Sequence, residues 1–96
     1  MRPSDAIVHY RGALLDIASR YRFANLRVFG SAARGEDREG SDIDLLVDAP
    51  DGTTLLTLVR AKREAEDLTG VSVDIHTIDA IHERYRANVM RDARPL

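Results

Sequence analysis

The stretch Ser41-Asp42-Ile43-Asp44-Leu45-Leu46-Val47 carries an apolar residue at every second position, 43, 45 and 47. That alternation is the period of a β-strand with one face buried. Ile43, Leu45 and Val47 point to one side and pack on helices. Asp42 and Asp44 point to the other, about 7 Å apart along the backbone. A strand from Ile43 to Val47 therefore presents two carboxylates together.

Outward from this strand, helical and strand signals alternate. Towards the N-terminus, Leu26 to Phe29 reads as a short strand that stops at Gly30-Ser31, where a short helix begins and fades near Gly35. Before it, Ile7, Tyr10, Leu14, Ile17, Ala18 and Tyr21 recur at helical spacing, giving one helix from about Ser4, its cap, to Tyr21. Towards the C-terminus, Asp48, Pro50, Asp51 and Gly52 form a turn. A long helix follows, with Leu55, Leu58, Val59, Ala65 and Leu68 on one face and Gly70 as its C-terminal cap. Val71 to Ile75 alternates as a third strand, with Ser72, Asp74 and His76 on its polar face. Ile78, Ile81, Tyr85 and Val89 mark a last helix, which Arg94-Pro95-Leu96 does not continue.

The predicted order is αβαβαβα, an α/β (α+β) domain spanning 1–96. Its sheet has three strands or slightly more and is flanked by helices. The short connection from Gly30 to Ser41 falls below a full crossover, so the first two strands are expected to be antiparallel and the sheet mixed.

Composition bounds the function. The chain has 96 residues, 44% apolar and 31% charged, with a net charge of −2 and no cysteine. That is enough for one small domain and leaves no disulfide or thiolate metal chemistry. No apolar run reaches membrane-spanning length and no signal-peptide pattern opens the chain, so a cytoplasmic place is the default expectation. The acidic balance argues against direct, sequence-independent nucleic-acid binding. Of the 14 basic residues, Lys62 is the only lysine, a bias that a G+C-rich genome also produces.

The candidate site residues lie on the two turns and strand faces just described. Should the second and third strands pair in register, Asp74 joins Asp42 and Asp44. Aspartate is disfavoured inside strands, and its neighbours Val73 and Ile75 suggest that this strand is central. Carboxylates gathered on one patch either take up protons or bind cations. Oxygen ligands suit Mg2+ or Mn2+, and two such ions about 3.5–4 Å apart serve phosphoryl transfer. Gly30-Ser31 sits where a strand hands over to a helix. There small residues and free N–H groups admit phosphate oxygens, and Arg34 lies one turn along. Ten residues separate Ser31 from Asp42.

Taken alone, each feature also has a plainer reading: a solvated Asp-x-Asp, a Gly-Ser turn, a solvated strand-end His76. His9 and His82 lack ligand partners at helical spacing and read as surface residues. Tyr10, Tyr21 and Tyr85 fall on helix faces, and at least two of them read as core. The joint arrangement, a phosphate cradle beside a carboxylate metal site, has one use: nucleotidyl transfer.

Val28-Phe29-Gly30-Ser31-Ala32-Ala33-Arg34-Gly35, then Ser41 to Val47, then Val73-Asp74, resembles the DNA polymerase beta-type nucleotidyltransferase superfamily. Within it the chain is most similar to the minimal nucleotidyltransferases, the MNT antitoxins encoded beside HEPN ribonuclease toxins. The resemblance implies catalytic and metal-binding roles for Asp42, Asp44 and Asp74. It implies nucleotide binding by Gly30 and Ser31, with Arg34 in the same signature. It also implies two Mg2+ or Mn2+ ions, ATP as substrate, and transfer of AMP to a tyrosine hydroxyl of a HEPN-type toxin partner. A non-catalytic antitoxin that neutralises its partner by binding, and nucleotidylation of a small molecule or RNA, are the alternatives to that reading. An adjacent reading frame encoding a short helical protein with an Arg-x4-His motif would point to a toxin partner.

Overall fold

Three elements hold the centre of the structure, a computed structural model that describes all 96 residues. Strand β1 (Ala24–Phe29) runs antiparallel to β2 (Ile43–Asp48), and β2 runs parallel to β3 (Val73–His76). The sheet is mixed, as the short Gly30 to Ser41 connection predicts. A fourth strand, β4 (Arg94–Pro95), pairs antiparallel with β1, giving the order β3-β2-β1-β4. The sequence reading stops at Pro95 because proline ends a helix. An edge position tolerates it, since the missing N–H costs no ladder bond there. The Leu96 N–H then donates to the Leu26 carbonyl at 3.1 Å.

One face of the sheet carries the core. Ile43, Leu45 and Val47 of β2 meet Leu26 and Val28 of β1 and Val73 of β3, all buried. Helix α2 (Arg11–Arg20) covers them with Leu14, Ile17 and Ala18. Helix α4 (Leu55–Thr69) adds Ala61 and Ala65. Alanine at the contact positions lets α4 approach the sheet closely, and Gly70, at φ 71°, ends the helix in the left-handed conformation. Leu55 does not share this face: it is 77% exposed.

The predicted first helix is two. Helix α1 (Pro3–His9) ends at Tyr10, whose backbone (φ −104°, ψ 16°) leaves the helical region before α2 resumes. Hydrogen bonds nonetheless continue through the joint, from the Tyr10 N–H to Ala6 and from the Leu14 N–H to Tyr10. Tyr10 and Tyr21 pack on the core while Tyr85 is 53% exposed.

Ser4 is not the cap of α1. Pro3 occupies the first turn, and the Ser4 N–H donates to Asp37 Oδ2 at 2.8 Å, so a carboxylate 33 residues away serves the helix start. Asp37 is only 3% exposed. Burial alone would raise its pKa; hydrogen bonding at the Ser4 backbone and the nearby Arg2 charge outweigh that and hold it below the ordinary carboxylate value. This stabilisation is complete above the unfolded-state pKa of about 3.9 and is lost as pH falls through the lower folded value. We expect Asp37→Ala to cost about 1–2 kcal/mol in urea unfolding at neutral pH. The gap from the parent should narrow as the pH is lowered below about 4.

Two further boundaries differ from the sequence reading. β3 begins at Val73 rather than Val71, and side chains of α4 take backbone donors before and at its start. Thr69 Oγ1 accepts from Val71 and Glu66 Oε2 from Val73. The last helix is preceded by a 3-10 turn (Ile78–Ala80), and α5 (Glu83–Asp92) starts only after His82, whose Nδ1 accepts from the Arg84 N–H at 3.2 Å. His82 is thus an exposed helix cap. No helix is long and apolar enough to cross a membrane.

Candidate active site

Register builds the site. Phe29 of β1 lies opposite Asp44 of β2, and Asp44 lies opposite Asp74 of β3, so all three share the face away from the core. One residue pair further, Arg27, Leu46 and His76 share that face as well. Leu46 is fully buried and Phe29 nearly so, yet neither belongs to the main core cluster. They form a small apolar floor beneath the carboxylates, with α5 packed against β1 and α3 (Gly30–Arg34). The floor excludes water from one side of Asp44, and its charge is dearer there.

The carboxylates respond accordingly. Burial pushes the Asp44 pKa up. His76 and Arg34 pull it down, and the charges of Asp74 and Asp42 push it up again. A cation in the patch would reverse the balance, since a bound metal replaces the proton. One ligand atom from each of Asp44, Asp74 and His76 falls within 4.8 Å of the others, a spacing that one ion can bridge. The donor set, two carboxylates and an imidazole, suits a divalent cation.

Asp42 lies just before β2, exposed, and outside that three-residue group. It remains close enough for its charge to act on both Asp44 and Lys62. Asp74 is on an edge strand, not a central one. The alternating Val73 and Ile75 reflect the face that α4 covers, and an edge accommodates the polar aspartate between them.

Gly30 is fixed by sterics. Its φ is +72°, and a Cβ there would stand 2.6 Å from Asp44 Oδ2. Only glycine permits both the left-handed backbone and the approach of the carboxylate. Ser31 follows in the first turn of α3, partly exposed. The helix is five residues long and ends at Gly35, φ 72°, so its value to an anion lies in free N–H groups more than in a dipole. Arg34, exposed, donates Nε to Glu36 at 3.0 Å and a terminal nitrogen to Asp92 of α5 at 2.6 Å. Its guanidinium is engaged at the rim of the site, and holding a phosphate would require exchanging one of these carboxylates.

Sequence reasoning missed Lys62, Phe29 and Leu46 and undervalued His76. Lys62 Nζ donates to Glu66 Oε2 at 2.8 Å and stands 3.9 Å from Asp74 Oδ1. The Glu66 hydrogen bond, with the charges of Asp74 and Asp42, keeps its ammonium strongly protonated. The signal was present: it is the one lysine in a chain of arginines. His76 Nε2 lies 4.0 Å from Asp44 Oδ1 and its ring meets Phe29 edge-on at 5.5 Å. A shallow groove of Leu55, Leu58, Val59 and Lys62 leads along the open edge of β3 to Asp74 and His76.

Known proteins are similar to this chain in sequence and fold. The family profile of the nucleotidyltransferase domain matches residues 11–96. A Methanocaldococcus jannaschii protein provisionally named a protein adenylyltransferase is 38% identical over 80 residues, which is 83% of this chain and 86% of that one. The protein adenylyltransferase MntA of Thermococcus cleftensis is 31% identical over 77 residues, 80% of this chain and 78% of MntA. A solved structure provisionally named a minimal nucleotidyltransferase superposes with a TM-score of 0.85 at 44% identity, covering 97% of this chain and 95% of that one. A chain from a toxin-antitoxin crystal structure with AMP-PNP reaches a TM-score of 0.77 at 16% identity, covering 88% of this chain and 69% of its own, a likeness of fold. The chain belongs to the nucleotidyltransferase domain family, and it is a nucleotidyltransferase.

Proposed function

We propose that this protein transfers AMP from ATP to a tyrosine hydroxyl of a partner protein, a HEPN-type ribonuclease toxin, and acts as its antitoxin. The observation that carries the reading is the juxtaposition of Gly30-Ser31 with the Asp44-Asp74 pair on one sheet face. The relatives named as protein adenylyltransferases support the choice of AMP and of a protein acceptor. The match to a chain of a toxin-antitoxin structure supports a toxin as that acceptor.

The residues divide the work. N–H groups at Gly30 and Ser31 hold the β- and γ-phosphates, with Arg34 at the rim. Asp42, Asp44 and Asp74 would hold the divalent metal, Mg2+ or Mn2+, as two ions. When bound, such ions neutralise the triphosphate and acidify the attacking hydroxyl. Asp74, at the open edge, takes the hydroxyl proton. The acceptor oxygen bonds to the α-phosphorus as the bond to the β-phosphate oxygen breaks, and pyrophosphate carries away the displaced pair.

Intact-mass measurement tests this. The partner co-expressed with this chain should gain ~329 Da for each AMP, the mass of the transferred nucleotidyl group. A partner that is neutralised but unchanged in mass would favour an antitoxin that works by binding alone.

A further inference from the structure

We propose that His76 is an inner ligand of the site's divalent cation, and that its nitrogen shifts the preference of the site from Mg2+ towards Mn2+. The inference rests on the nucleotidyltransferase reading of the Asp44-Asp74 pair. The parallel register of β2 and β3 places His76 opposite Leu46, two positions beyond the Asp44-Asp74 pairing and on the same face. Its Nε2 is 4.0 Å from Asp44 Oδ1, too long for a hydrogen bond. Two ligands held about 2.1 Å from one octahedral ion stand about 3 Å apart when adjacent and about 4.2 Å apart when opposite. The observed gap does not exceed the larger separation, so one ion can reach both atoms, and Asp74 completes a three-atom group within 4.8 Å.

The ring is also held in place. It packs edge-on against Phe29, itself buried beside Leu46. A side chain that served only as a solvated strand end would need no such support. Mg2+ sheds water reluctantly and selects oxygen donors, whereas later divalent metals accept imidazole readily. A site of carboxylates alone gives Mg2+ its best case; one imidazole among them favours Mn2+.

The test uses the full-length protein and Mn2+ alone, without nucleotide. Protein labelled with 15N, carrying His9→Gln and His82→Gln, is examined by pulsed electron paramagnetic resonance. A nitrogen coupling from directly bound imidazole is expected, and it must then come from His76. Adding His76→Gln should remove the coupling and weaken Mn2+ binding about tenfold, with Mg2+ binding changed less than twofold. Absence of nitrogen coupling while Mn2+ is bound, or an unchanged Mn2+ to Mg2+ affinity ratio in the variant, overturns the proposal. Asp44→Asn and Asp74→Asn separate it from the underlying reading. Both should abolish Mn2+ binding; if they do not, the placement of the metal site itself fails.

Discussion

Asp44→Asn is expected to reduce AMP transfer about a thousandfold or more while the protein stays folded. Asp44 is the carboxylate at which the turn and both strands of the site meet. It faces Asp74 across the β2-β3 pairing, approaches His76, and lies against Gly30. Asparagine keeps its shape and removes its charge. The ion that Asp44 is proposed to hold would contribute several kcal/mol of charge stabilisation in phosphoryl transfer, and about 4 kcal/mol corresponds to a thousandfold in rate. The fold should not suffer. The Asp44 carboxylate accepts no hydrogen bond from another side chain, and burial holds its pKa up, so its charge is a burden to the metal-free protein. Stability equal to or slightly above the parent in thermal unfolding, with transfer lost, is the expected pair of results. An active Asp44→Asn would contradict the assignment.

Gly30→Ala carries the second largest expectation, for a different reason. The left-handed backbone at φ +72° costs an alanine roughly 1–2 kcal/mol. The new Cβ would stand 2.6 Å from Asp44 Oδ2, so either the carboxylate or the turn must move. Displacement of a reacting group by about 1 Å can cost a hundredfold in rate. We therefore expect stability to fall by about 2 kcal/mol in urea unfolding and transfer to fall about a hundredfold. The two effects should separate in kinetics: a folded fraction, corrected for population, still turns over slowly. Ser31, with no such steric constraint, should tolerate alanine structurally.

What could be read from the sequence follows from what is local. The period-two pattern at 43–47 placed β2 and turned its aspartates to the polar side, because side-chain direction in a strand is fixed by parity. Glycines at 35 and 70 marked helix ends, where a left-handed residue is needed. Gly30 was legible as a site residue but not for its main cause, since its contact is with a carboxylate 14 positions away. The joint at Tyr10 escaped notice because hydrophobic spacing continues across it. Asp37 escaped because a carboxylate supplied from the connection between α3 and β2, 33 residues away, has no signature in the first helix.

The site shows the same limit. Asp44 and Asp74 were brought together by assuming register, and the register holds. Asp74 as a sign of a central strand was a misreading, because one buried face looks alike on an edge and in the middle. His76 and Lys62 belong to the site through packing of β3 against α4 and Phe29, distances that no single-strand pattern contains. Arg34 was readable as near the site; its pairing with Asp92 depends on where α5 returns.

The central claim, that these residues move a nucleotidyl group and not a terminal phosphate, is tested most directly by the position of the label. The protein and its co-purified partner are incubated with ATP labelled at the α-phosphate or, separately, at the γ-phosphate. Only the α-label is expected to become attached to the partner, with γ-label released as pyrophosphate, and Asp44→Asn is expected to abolish both. Attachment of γ-label, or α-label transfer undiminished in Asp44→Asn, would contradict it.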